Sequence, residues 1–289
     1  MTIKQTVIAA AVGTLLVGCS NSETVSPAAT LDLQAFDGAV WGMAGSFDCG
    51  GRTGVIPATD YDGYSQLNDA IVLEDISACS FTFGPSDNAI DSSNGKDMSD
   101  VVYRVPAGMA TNEADKVTAS PFTTLISAYA ELPENGGYSA SLASEVLTEL
   151  LPENFLSDSG LTVTALLTDL EGAIASASAN YQSELLATTV VLSDALSANP
   201  AATPEQLSSA TSAITATLLN AYPTYPDVND QYVMIDVSSL STTVINAPSS
   251  AITLPQLMDA VVPERPEDPT EPPPTGGGSA SGGSGGTGG

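Results

Sequence analysis

A chain of 289 residues, 43% of them hydrophobic, has room for one or two domains and enough apolar side chain for a sizeable core. It contains no histidine, which excludes Ser-His-Asp and Cys-His nucleophile systems, histidine proton shuttles and histidine-containing zinc sites. Six Lys and Arg against 34 Asp and Glu give a formal charge of −28, so phosphate backbones and anionic headgroups are repelled and nucleic acid is not an expected partner.

Residues 1–18 have the form of an export signal: Lys4 near the start, an uncharged apolar run from Val7 to Val17, and a small residue before the cut. The run is shorter than the about 20 residues that cross a bilayer. It ends in Leu16-Val17-Gly18-Cys19, which resembles the lipobox of bacterial lipoproteins. The resemblance implies cleavage between Gly18 and Cys19 and a diacylglycerol on the Cys19 thiol, with a buried core segment as the alternative. Ser20 after it implies, by the sorting rule of enteric bacteria, the outer membrane rather than the inner one. Acyl chains contribute roughly 0.8 kcal/mol per buried methylene, so the lipid alone suffices to anchor the chain. With Cys19 lipidated, Cys49 and Cys79 remain in an oxidising compartment and are expected to pair; two separately buried thiols are the alternative.

Residues 19–33 read as a flexible tether, small and polar through residue 30. Residues 34–118 read as a β-rich domain: they hold ten of the glycines and half of the sixteen aromatic residues, in short runs separated by turn-forming stretches. The runs begin at Ala39, Ser46, Ala70, Cys79 and Asp100, and Phe81 and Phe83 alternate with polar neighbours as a half-buried strand requires. Cys49-Gly-Gly-Arg-Thr-Gly, Asp60-Tyr-Asp-Gly, Gly84-Pro-Ser-Asp-Asn and Ser92-Ser-Asn-Gly read as turns.

Residues 119–262 read as a mainly α-helical domain with a late strand. Short helices are expected from Phe122 to Leu132 and from Leu142 to Leu151. An apolar stripe from Val163 to Leu196 predicts one long helix, or two with a kink near Ser176 to Asn180. Thr203-Pro204-Glu205-Gln206 is a helix start, with a Thr cap, Pro where a missing N–H does no harm, and Gln three residues on. Tyr232 to Val237 reads as a strand returning to the sheet, and Leu254 to Val261 as a final short helix. Residues 263–289 are rich in Pro and Glu, then in Gly and Ser, and read as a disordered tail. The expected class is therefore α+β: a small antiparallel β-sandwich-like domain, a helical domain and a tail.

The junction Lys116-Val-Thr-Ala-Ser-Pro-Phe-Thr-Thr-Leu is similar to one found in exported surface lipoproteins of marine gamma-proteobacteria, where a carboxypeptidase-regulatory-like β-sandwich precedes a helical segment. The segment from Phe36 to Ala44 resembles the opening of such modules, although Phe122 stands where Leu is usual and Trp41 departs from the pattern. The resemblance covers about residues 35–130 and implies an envelope or adhesive role and no reaction.

Gly282-Gly-Ser284-Gly-Gly matches the Gly-x-Ser-x-Gly pattern only by composition, since a nucleophile elbow needs a histidine partner. Asp60, Asp62, Asp91 and Asp97, on loops rich in Asn and Gly, are candidate oxygen ligands for Ca2+; the alternative is that they simply make turns. Trp41, Tyr61 and Tyr64 form either a carbohydrate-stacking platform or core. Between Val117 and Glu264 there are sixteen acids and no Lys or Arg, so no salt bridge forms within that span, and adaptation to high salt or divalent cations is expected. These readings converge on a noncatalytic, lipid-anchored outer-membrane protein with a surface or envelope interaction role of the adhesion type. A periplasmic-facing lipoprotein binding a glycan or divalent cation is the alternative. A hydrolase using carboxylates alone is a third.

Overall fold

The computed structural model describes residues 30–111 and 116–266. Its first part is built of short strands: β1 (Leu31–Ala35), β2 (Val40–Trp41), β3 (Gly45–Cys49), β4 (Arg52–Ile56), β5 (Tyr64–Leu67), β6 (Cys79–Phe83), β7 (Ile90–Asp91), β8 (Tyr103–Val105) and β9 (Val117–Ala119), with helix α1 (Ala70–Glu74) between β5 and β6. Two larger sheets result, ordered β5-β1-β9 and β4-β3-β6-β8, and β2 pairs with β7. Every pairing is antiparallel except β1 with β9. That parallel pair closes the region: β1 begins it at Leu31, inside the segment read as tether, and β9 ends it with Val117, Thr118 and Ala119 all buried.

Two local readings change here. Ala70-Ile-Val-Leu forms α1 rather than a strand, because Asp69 caps it by accepting from the Ile71 N–H at 2.8 Å and only Val72 needs burial. In Cys49-Gly-Gly-Arg-Thr-Gly only Gly50 and Gly51 turn, and Arg52 onward is β4, paired antiparallel with β3. Register then puts Cys49 opposite Cys79, and the two are joined by a disulfide.

The chain passes directly from β9 into α2 (Pro121–Ala130). Ser120 accepts from the Thr123 N–H, and the Thr123 hydroxyl accepts from the Ser120 N–H, a reciprocal cap that sets Pro121 at the first turn. Thr124 accepts from the Arg104 N–H at 2.9 Å and so fixes α2 against β8. The helices α3 (Ala140–Leu150), α4 (Phe155–Ser159), α5 (Val163–Thr168), α6 (Leu170–Ser176), α7 (Ala179–Ala198) and α8 (Pro204–Ala221) follow. The stripe from Val163 to Leu196 is thus cut twice. Asp169 ends α5 and caps α6 through the Gly172 N–H, and Ala177 is extended before α7. The Thr203–Gln206 capping box starts α8 as the sequence predicts.

The late strand does not join the N-terminal sheets. β10 (Asp227–Val228) and β11 (Gln231–Met234) make a hairpin, α9 (Ser238–Asn246) follows, and β12 (Met258–Asp259) adds to β11 where a final helix is expected. Pro255 disfavours the α conformation in the residue before it, and the chain has no regular structure through Val262 apart from β12. One core cluster takes Leu31, Phe81, Tyr103, Phe122, Leu147, Leu166 and Leu192 together, so strands and helices share a single interior. A second, smaller cluster lies between α7, α8 and the C-terminal hairpin around Val191, Ile214, Tyr225 and Ile235.

Candidate functional site

The most unusual chemistry lies where these two clusters meet. Asp37 follows β1, Asp91 ends β7, Lys96 leaves the next loop and Asp194 sits in the last two turns of α7. Asp37, Asp91 and Asp194 are 3%, 1% and 5% exposed. Carboxylates are rarely buried so deeply without partners, because removing an ionised group from water is expensive unless charge or hydrogen bonds replace the hydration.

The three have different partners. Asp194 accepts from the Lys96 ammonium at 2.5 Å and, through its other oxygen, from the Val237 N–H at 2.8 Å. Asp91 accepts from the Ser93 N–H at 2.8 Å, the Ser93 hydroxyl at 2.6 Å and the Asn94 amide at 2.6 Å. Gly38 lets its oxygens approach: a Cβ there would lie 2.6 Å from Asp91 Oδ1, at a backbone φ of +81°. Asp37 is the poorly served member, since its Oδ1 has no hydrogen-bond partner. Beside it lies the buried hydroxyl pair of Tyr103 and Ser193, 2.8 Å apart.

The electrostatics follow from these contacts. Burial pushes the Asp37 carboxyl up to about 7, with Lys96 pulling back and Asp91 and Asp194 adding to the rise. Burial lifts Asp91 to about 6, held from going higher by Ser93, Asn94 and Lys96. Burial also raises Asp194 against the pull of Lys96. Desolvation works against the Lys96 ammonium, but Asp194 and Asp37 outweigh it and keep the group charged. Tyr103 is raised well above the ordinary range by its burial. Three carboxyls around one ammonium carry a net charge of −2 if all ionise, and Asp37, raised to about 7, is the member that gives up its proton least readily.

Two spaces adjoin the cluster. A cleft of about 320 Å³ lies outside Lys96 and Asp194, walled by Asp97, Asp100 and Asp236 and floored by Met234 and Met258. A narrow internal cavity lies against Asp37, between Ser93, Asn94, Tyr225 and Tyr232.

Of the residues singled out in the sequence, Gly18 and Cys19 lie outside the described residues, as does the Gly-x-Ser-x-Gly match. The calcium candidates do not converge. Asp60 organises its own turn by accepting from the Asp62 and Tyr64 N–H groups, and Asp62 pairs with Arg265. Asp97 accepts from the Ser99 backbone and hydroxyl, and Asp91 is committed as described. Among the described residues no group of three or more Asp, Glu, Cys or His is placed to hold a metal ion. Trp41 and Tyr61 meet with ring centroids 5.8 Å apart, but Arg265 covers the Tyr61 ring at 4.5 Å and the Tyr61 hydroxyl donates to the Pro263 carbonyl. Tyr64 is elsewhere, donating to Glu171.

Sequence reasoning passed over Asp37, Lys96 and Asp194. One signal was available: Asp194 is the lone charge in Val190-Val-Leu-Ser-Asp-Ala-Leu, and an acid on an apolar helical face requires a buried partner. Comparison with known proteins gives no match among family models, curated sequences or solved structures.

Proposed function

We propose that this chain is a lipid-anchored outer-membrane protein whose sandwich-like β region and helical region form one noncatalytic interaction body in the envelope. The observation that carries the reading is the apolar run from Val7 to Val17 that ends in Leu16-Val17-Gly18-Cys19. Its support from the fold is indirect. Strand β1 starts at Leu31, a short polar segment after Cys19, which suits a body held close to a membrane by its N-terminal end. Among the described residues no helix is long and apolar enough to cross a membrane. Within the Asp37–Lys96–Asp194 cluster, Asp37 borders only a narrow internal cavity, while Lys96 and Asp194 line the cleft outside and are paired with each other.

Metabolic labelling with a palmitate analogue, followed by membrane fractionation, tests this. The full chain is expected to take the label and sediment with outer membranes, and Cys19→Ser to lose both properties. Label or membrane association that survives Cys19→Ser overturns the reading. Proteinase K shaving of intact cells, with an epitope after Gly289, then assigns the side: loss of the epitope places the body outside, and protection until the outer membrane is broken places it in the periplasm.

A second reading is a periplasmic-facing protein that takes a divalent cation or a glycan; the cleft beside Lys96 is the space open to a glycan, and its acids are not grouped to hold a metal ion. Calorimetric titration with Ca2+ and with cell-wall glycans tests it. Binding that Asp236→Asn and Asp100→Asn weaken together is the expected result, and no heat at millimolar ligand removes the reading.

A further inference from the structure

The seam between the N-terminal strands and the C-terminal hairpin is held by very few polar groups, and nearly all of them face Asp37. Asp91 and Lys96 face it from the loop after β7, Tyr103 from β8, Ser193 and Asp194 from α7, and Tyr225 and Tyr232 from the approach to the hairpin and from β11. Asp236, beyond β11, acts on the same pair of Lys96 and Asp194. The hairpin and the chain around it are secured to the remainder by separate polar contacts: Tyr232 to the Ser93 side chain, the Val237 N–H to Asp194, and the Val261 N–H to the Asn94 carbonyl at 2.8 Å. Tyr61, through the Pro263 carbonyl, and Asp62, through Arg265, tie down the chain after β12.

Asp37 is the weak point of that seam. It is 97% buried by surface, one oxygen is unpartnered, and the residue lines the narrow cavity bounded by Tyr225, Tyr232 and Val233. A neutral carboxyl fits such a place and even offers a donor to it. A carboxylate there, with Asp91 and Asp194 nearby and Lys96 already committed, does not. We infer that Asp37 is a proton-operated latch: its neutral form holds the hairpin and the extended chain after it against the β region, and its ionisation loosens them and opens the adjoining acidic cleft.

The direction in pH follows from the geometry together with the raised Asp37 value. Asp37 has an ordinary value of 3.8 and takes one of about 7 in the folded chain, so folding binds a proton between those limits. The stabilisation is complete below about 4 and is lost as pH rises toward 7. Each pH unit in that window lowers the folding equilibrium constant about tenfold through Asp37. Asp91 adds a second loss of the same sign up to about 6. Lys96, with its value raised, loses its contribution only in strongly alkaline solution.

The test uses the full chain in detergent micelles. Urea unfolding is measured from pH 4.5 to 8 for the native protein, Asp37→Asn, and Glu134→Gln as an exposed control that leaves the cluster untouched. The expected result is that Asp37→Asn alone flattens the slope by about one proton, a factor of about ten per pH unit. Ser193→Ala, which removes a hydroxyl favouring the ionised form, keeps the slope and extends it to higher pH. It serves where Asp37→Asn does not fold. Hydrogen exchange, corrected for the intrinsic rate, is then compared at pH 5 and pH 8. Protection is expected to fall in residues 231–237 and 258–262 while β3 and β6 keep theirs. An unchanged slope in Asp37→Asn with no upward extension in Ser193→Ala, or a loss of protection spread evenly over the chain, overturns the latch.

Discussion

Gly38 and Lys96 are single residues whose environment leaves them no substitute. At Gly38 a methyl group meets both Asp91 oxygens and Ser93 Oγ within 2.7 Å, and the backbone is left-handed as well. Gly38→Ala is expected to destabilise the chain by about 2–4 kcal/mol, read from urea denaturation, with the left-handed backbone supplying about 1–2 of that. Lys96 compensates a carboxylate that is almost wholly out of water. Lys96→Met is expected to cost about 3–5 kcal/mol, and Lys96→Met with Asp194→Leu much less, because the damage comes from the orphaned charge rather than from losing the pair. A double mutant no more stable than Lys96→Met would contradict that account.

At the scale of elements, local chemistry decided where chains turn and where helices begin. The Ser120–Thr123 and Thr203–Gln206 boxes were readable because a cap needs only residues three apart. Ser120→Ala is expected to lose about 1–2 kcal/mol, since the Thr123 N–H that donates to its hydroxyl is buried with it, and Thr203→Ala about 1 at an exposed site; thermal melts separate the two. The Cys49–Cys79 bridge closes a loop with a sequence separation of 30 across paired strands. Replacing both cysteines by Ala is expected to lower stability by about 3–4 kcal/mol in the chain-entropy account. Elements misread from the sequence share a cause. Ala70–Leu73 and Leu254–Val261 are short apolar runs in which period cannot separate strand from helix, so the Asp69 cap and the neighbouring strand β11 decided them.

Over the whole molecule, charge is the organising quantity. Each of the five Lys and Arg among the described residues is in an ion pair, and three of them reach from the β region to acids of the helices: Lys96 to Asp194, Arg104 to Glu131 and Lys116 to Asp169. The basic residues that the span from Val117 to Glu264 lacks are therefore supplied by its neighbours. The exposed pairs contribute little each, and most carboxylates remain without a cation. Melting temperature is accordingly expected to rise between low ionic strength and about 0.5 M salt as repulsion is screened, and an unchanged value would remove self-repulsion as a force on this fold.

What the sequence determined by itself was whatever depends on neighbours along the chain: export-signal pattern, caps, turns, the alternation of β6 and the total charge. The β1–β9 pair, the packing of Lys96 on Asp194 and the isolation of Asp37 join residues 84, 98 or more than 150 positions apart. No local period encodes such meetings. They are decided when strands and helices close on one interior, and only there does the loss of water turn ordinary aspartates into groups that hold a proton.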